Sequence, residues 1–285
     1  MNQAHPGRID PLRSRIQPGG GAERAAGVAV RELQPLHPLP RLILFDLDDT
    51  LCDYGAARLQ RLKIAFSLHQ QPNGVPRLGE LPALADERLE RIVQESIAMQ
   101  PHGADHFPVI MAKYGITSEQ AVAAAIRWYR SHPFHNLKLF PDAVPTVQAL
   151  RVGGADGRHS RPRAIGIVTN GPAEVQREKI RLLNLLDVVD FVVISGEFGT
   201  WKPDRLIFEE ALRLGGADAR DAVFIGDSID HDMIGAAQAG IRTVWLDRGS
   251  MQWPTKLAAS DRVVQSLTDL LPILRPGSTT GAIGT

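Results

Sequence analysis

The sequence predicts an α/β protein, a doubly wound parallel sheet with an all-helical insert after its first strand, and three observations predict it. Short apolar runs recur at residues 41–46, 164–168, 191–194, 222–225 and 242–246. Amphipathic helical stretches at 142–152, 173–186, 205–214 and 233–239 separate or precede the later runs, and such β–α–β alternation builds a parallel sheet with crossover helices. Residues 55–137, between the first run and the rest, show helical spacing and no strand pattern.

Residues 1–40 are rich in Arg, Pro, Gly and Gln without periodicity, too polar to offset ordering entropy, and are expected to be a disordered leader. RLILFD at 41–46 is an apolar run ending in carboxylates, expected as a buried strand feeding a loop. In the insert, residues 56–69, 81–99 and 118–129 carry apolar side chains at helical spacing, with Thr117 or Ser118 placed to cap the third. The core is thus expected at 41–54 and 138–272, and the helical insert at 55–137. The run at 242–246 reads as the last strand, 153–163 as a surface loop, and 273–285 as a flexible tail.

Composition narrows the function. Lys plus Arg and Asp plus Glu both number 32, giving zero formal charge, so no electrostatic footprint for nucleic acid or an anionic membrane is expected. The single cysteine, Cys52, excludes an intramolecular disulfide and fits a reducing compartment. No apolar run reaches the roughly 18 residues of a membrane helix, and the start lacks an apolar signal core. A cytoplasmic location is the expectation.

In open α/β sheets, ligands bind beyond the carboxyl ends of the strands. Asp46 and Asp48, Thr169 and Asn170, Glu197 leading to Lys202, and Asp227 with Asp232 follow the expected strand ends. Carboxylates gathered on one rim repel one another and call for a cation. An all-oxygen donor set suits Mg²⁺ better than Zn²⁺. Lys202 adds a fixed positive charge, while Thr169 and the backbone N–H groups around Asn170 and Gly171 offer donors to phosphate oxygens. An acidic metal site beside an anion site suits phosphoryl transfer. Each phrase alone is weak: DLDDT could be a solvated loop, TNG a turn, and KPD a helix start with Pro203 in its first turn. Their order along successive strand ends carries the reading.

The blocks FDLDDTL, IVTNG, WKPD and GDSIDHD, in this order, resemble the motifs of the haloacid dehalogenase superfamily across residues 41–250, whose core is Rossmann-like. The insert resembles the family's first-type cap. The resemblance implies a Mg²⁺-dependent phosphomonoesterase acting on a small phosphorylated metabolite such as a nucleotide or sugar phosphate. It implies Asp46 as the nucleophile and a metal ligand. It implies Asp48 as acid and base, with its backbone carbonyl on the metal. Thr169, Asn170 and Lys202 would hold phosphate, Asp227 would ligate the metal, and Asp232 would support the metal or Lys202. TNGPAEVQREKI and GAAQAGIRTVWL resemble the branch of nucleoside-monophosphate and N-acylneuraminate-9-phosphate phosphatases. Gln176 and Lys179 strengthen that likeness, but they are expected to face away from the strand ends and only stabilise their helix.

Other assignments are local. Asp49 and Asp53 read as turn and capping residues, Asp230 as a solvated neighbour, and Cys52 as a small buried residue. Glu197 is a solvated loop acid with an outside claim on a metal's water shell, and Trp201, beside Lys202, reads as packing with an outside claim on the substrate. His102, His106, Lys113, Arg127, Tyr129, Arg130, His132 and His135 are candidate selectors of the leaving group, each more readily explained by a surface or core role. A 2-haloacid dehalogenase is the alternative, but attack on carbon has no use for an acid and base at Asp48. A sugar-phosphate mutase would share the motifs. A phosphonate hydrolase would need a Schiff-base lysine, for which only Lys63 is near. A non-enzymatic binding module would have no reason to keep this residue set.

Overall fold

The computed structural model describes residues 35–68, 87–99, 103–152, 162–249 and 262–275. A six-stranded, all-parallel sheet runs β3-β2-β1-β4-β5-β6. Its strands are β1 (Leu42–Phe45), β2 (Ala164–Thr169), β3 (Phe191–Ile194), β4 (Ala222–Gly226), β5 (Arg242–Leu246) and β6 (Arg262–Val264). The five expected strands are present; the sixth is a correction, since 242–246 does not end the sheet. The order steps outward from β1 in both directions, so β1 and its neighbours β2 and β4 lie at the switch in winding, where a crevice opens.

Alternation along the central strands feeds two cores. Ile43, Phe45, Ile167 and Ile225 bury one face against α5 (Ala143–Arg151), α6 (Ala173–Leu182) and α10 (Leu270–Leu274). Leu42, Leu44 and Phe224 bury the other against α8 (Arg205–Gly215) and α9 (Ile234–Gln238). The short α7 (Ser195–Phe198) follows β3 directly. Leu36 joins the first core and its N–H donates to Ile273 O at 3.0 Å. Order therefore starts before residue 41, and Ile273 and Leu274 are core rather than tail. Arg163 is likewise buried, not part of a surface loop. The expected leader up to residue 34, the helix start at 81–86, the loop at 153–161 and the tail from 276 lie outside the described residues.

After β1 the chain enters α1 (Tyr54–Ser67), α2 (Glu87–Met99), α3 (Phe107–Lys113) and α4 (Glu119–Ser131). Asp53 caps α1 by accepting from Ala56 N at 3.0 Å, and Ser118 caps α4. These helices bury a core of their own, including Leu62, Phe66, Ile92, Phe107, Ile110 and Trp128. Helix α3 was not expected. Its Phe107, Ile110 and Met111 have helical spacing, but a helix of 7 residues is hard to separate from a loop. Among the described residues, no helix is long and apolar enough to cross a membrane.

Candidate active site

Parallel register brings the motifs level. Phe45 pairs with Ile167 on β2 and Ile225 on β4, so Asp46, Thr169 and Asp227 leave the sheet at one rim. Asp46 is pinned there by its N–H, which donates to Ile225 O at 2.9 Å. The chain then turns through Asp49, which has φ 60° and accepts from Gly55 N at 2.7 Å. Asp49 is the expected turn residue.

The buried ammonium of Lys202 bridges two carboxylates, 2.5 Å from Asp46 Oδ1 and 2.6 Å from Asp232 Oδ1. Asp232 also accepts from Ser228 N at 3.1 Å. A π turn over Ile229–Met233, with Ser228 as its cap, aims Asp232 back at the rim. Gly226 makes room, because a Cβ there would lie 2.3 Å from Asp232 Oδ2. Burial pushes the Asp46 carboxyl well above its ordinary range; Lys202 pulls it down, while Asp232 and Asp227 raise it further. Burial, then Asp232 and Asp49, push Asp227 up to about 7. For Lys202, burial opposes the charge, but Asp232 and Asp46 outweigh it and raise its pKa.

Oxygens of Asp46, Asp227 and Asp232 lie within 4.8 Å of one another. One ammonium cannot neutralise three carboxylates in a buried place, so the cluster favours a hard divalent cation. The donor chemistry fits such an ion. Asp232 gives its oxygens to Lys202 and Ser228 N, which suits the expected supporting role.

Asp48 departs from expectation in its partners. Lys179 Nζ donates to its two oxygens at 2.6 and 2.9 Å, and Gln176 Nε2 stands 3.3 Å from Oδ2. Lys179 is only 3% exposed and lies 3.9 Å above the Tyr54 ring. The reading of Gln176 and Lys179 as facing away is corrected: one turn of α6 carries both to the rim. Gln176 also donates to Thr169 Oγ1 at 2.6 Å and Asn170 O at 3.1 Å. Gly171 accommodates it, since a Cβ at φ 152° would lie 2.8 Å from Gln176 Cγ.

Asn170 is tied to the Lys202 loop by both halves of its amide. Nδ2 donates to Lys202 O at 3.0 Å, and Lys202 N donates to Oδ1 at 2.8 Å. Its carbonyl oxygen and one amide hydrogen thus fix the lysine's position, while the residue lines the cleft. Gly171 N is likewise taken, donating to Ser195 Oγ at 2.9 Å. Pro203 does not start α8; Asp204 is the cap, accepting from Leu206 N at 2.9 Å.

The rim opens into a cleft of about 880 Å³ between the sheet and helices α1 and α4. Of the expected selectors, Tyr129 and Arg130 line it, with Trp201 and His231; Arg58 and Arg61 also line it and were not anticipated. Four do not serve. His106 is buried against Ser96 Oγ at 2.5 Å. Lys113 pairs with Glu95. His132 stacks on Trp128, and His135 meets the same ring edge-on. Arg127 is exposed outside the cleft lining, and His102 lies outside the described residues. Glu197 pairs with Arg177, Lys63 with Glu90, and Asp230 is exposed. Burial pushes the Cys52 thiol far up, so it is no second nucleophile.

A family sequence model described as haloacid dehalogenase-like hydrolase matches residues 40–240. A glyceraldehyde 3-phosphate phosphatase of Methanopyrus kandleri is 34% identical over 216 residues, 74% of this chain and 86% of that protein. A phosphoserine phosphatase of Thermus thermophilus is 27% identical, covering 73% and 89%. Among solved structures, the HAD-hydrolase YfnB of Bacillus subtilis matches with TM-score 0.61 at 21% identity, over 83% of this chain and 99% of that one. With the family model spanning most of the chain and the rim carrying its motifs in order, the protein belongs to the haloacid dehalogenase-like hydrolases.

Proposed function

We propose that the protein is a Mg²⁺-dependent phosphomonoesterase that transfers the phosphoryl group of a small metabolite to Asp46. The observation that carries this is the buried Lys202, bridging Asp46 and Asp232 beside Asp227. It steadies a carboxylate nucleophile and leaves a fixed cation where phosphate charge must be held. In the first step an Asp46 oxygen bonds to phosphorus as the ester P–O bond breaks, and Asp48 gives the leaving alkoxide a proton. In the second, Asp48 takes a proton from water, whose oxygen attacks phosphorus, and the P–O bond to Asp46 breaks to release phosphate. Lys202 and the hydroxyl of Thr169 hold phosphate oxygens. Asp46, Asp227 and the Asp48 carbonyl would hold Mg²⁺, which when bound supplies charge neutralisation at the phosphoryl oxygens. Helices from residues 55–137 form a cap over the leaving group, and the core carries the chemistry.

The phosphatase names of the relatives support a phosphate ester substrate of metabolite size. Dehalogenation is disfavoured by the buried lysine that holds Asp48, a carboxylate that attack on carbon does not need. The test is phosphate release from 4-nitrophenyl phosphate and a panel of metabolite phosphates, with Mg²⁺ and with chelator. Mg²⁺-dependent release by the wild type and none by Asp46→Asn is expected. Equal rates from both proteins would end the assignment.

A further inference from the structure

A threonine hydroxyl carries one hydrogen and two lone pairs. To hold a phosphate oxygen, which only accepts, Thr169 must spend its hydrogen on the phosphate and do its accepting elsewhere. The group on its accepting side is Gln176, a side chain only 1% exposed. Gln176 Nε2 stands 2.6 Å from Thr169 Oγ1, 3.1 Å from Asn170 O and 3.3 Å from Asp48 Oδ2.

Which end of the amide stands there follows from its neighbours. Asn170 O is a carbonyl, and Asp48 is a carboxylate gripped by Lys179 at 2.6 and 2.9 Å. An amide oxygen in that place would face two acceptors, so the amino group occupies it. Gln176 therefore donates to Thr169, and the reverse bond is closed. With that lone pair filled, the Thr169 hydrogen turns away from Gln176. Among the described residues no group accepts it, and Thr169 lines the cleft. The backbone is shaped to this glutamine. Its own N–H donates to Pro172 O at 3.1 Å in the first turn of α6. At Gly171, with φ 152°, a Cβ would lie 2.8 Å from Gln176 Cγ and 2.9 Å from Cδ.

We propose that Gln176 is a positioning residue of the phosphoryl site, which by donating to Thr169 Oγ1 reserves the threonine's hydrogen for a phosphate oxygen. The proposal rests on the phosphomonoesterase reading and deepens it. The amino group has two hydrogens for three acceptors, so the one donated to Thr169 leaves a second to share between Asn170 O and Asp48. One buried amide thus ties the residue that holds the phosphoryl group to the residue that moves the proton.

A double-mutant cycle on the dissociation constant of orthophosphate, measured by calorimetry with Mg²⁺ present, tests this. Thr169→Val is expected to weaken binding by about tenfold or more. Gln176→Met, similar in length but without a donor, is expected to weaken it by about threefold to tenfold. In the Thr169→Val background the same substitution should change it by less than about twofold, since the hydroxyl it acts through is gone. An unfolded fraction lowers the stoichiometry and leaves the dissociation constant alone, so a glutamine that only packs would not move this readout. If Gln176→Met does not fold, Gln176→Asn, one methylene short of Thr169, carries the same expectation. Unchanged binding in the Gln176 variant, or an equal loss with and without the Thr169 hydroxyl, overturns the proposal. Failure of the wild type to release phosphate from 4-nitrophenyl phosphate would instead overturn the phosphomonoesterase reading beneath it.

Discussion

At the scale of single residues, the rim separates groups that do chemistry from groups that hold them. Asp46→Asn keeps the shape and hydrogen bonding of the side chain but removes the nucleophile. Steady-state turnover of an aryl phosphate is expected to fall about a thousandfold or more. Lys179 acts through Asp48, so Lys179→Met is expected to lower kcat by about tenfold to a hundredfold with little change in KM. A merely structural lysine would instead cost stability and leave kcat per folded molecule intact, which active-site titration alongside urea unfolding would reveal. Asp46 and Asp227 were legible because each sits directly after an apolar run, where an α/β sheet opens. Lys179 was not, because it lies 131 positions from Asp48 in mid-helix. Nothing local distinguishes it from a solvated helix lysine. Asn170 was placed correctly on the rim, yet its partner is the backbone of Lys202, and sequence order does not reveal pairings between loops.

At the scale of elements, legibility followed length and polarity. The five strands expected from apolar runs formed, whereas β6 contributes only Arg262–Val264, too few residues to stand out from a loop. The turn at Ile229–Met233 falls between the expected strand 222–225 and helix 233–239, and its three central residues, Asp, His and Asp, carry no helical pattern. Its wide coil gains stability from the Ser228 cap and from Asp232 meeting Lys202, not from helix propensity, and such π turns recur at functional sites. Gly226 ends β4 under this turn, which makes the junction sensitive to one methyl group. Gly226→Ala would force Asp232 off its position, since the added Cβ falls 2.3 Å from Oδ2. A loss of roughly 1–3 kcal/mol is expected from overpacking, read as a lowered midpoint in urea unfolding. Lys202 would lose its second carboxylate in the same step, so turnover should fall more than the folded fraction. An alanine variant with unchanged midpoint and rate would show that the turn yields freely.

At the scale of the whole molecule, the sheet delivers negative charge to a place the fold then buries. The free energy spent on holding Asp46, Asp227 and Asp232 together must be returned by Lys202 and a bound cation. Burial holds Asp46 and Asp227 above their ordinary carboxylate range, so the ion-free fold carries strained electrostatics that a divalent ion relieves. A ligand that binds only the folded state adds about 2.7 kcal/mol at a concentration a hundredfold above its Kd. For a domain of this size that corresponds to a rise in melting temperature of roughly 5 °C or more. Melting the protein in chelator and then in millimolar Mg²⁺ should show this shift without any substrate present. Asp227→Asn removes one charge from the cluster, so it should raise the melting temperature in chelator and shrink the response to Mg²⁺. The two effects have one electrostatic cause and opposite signs, which a nonspecific salt effect would not produce. A wild type whose melting temperature ignores Mg²⁺ would mean that Lys202 alone balances the cluster, and the rim would then be an anion site without a metal.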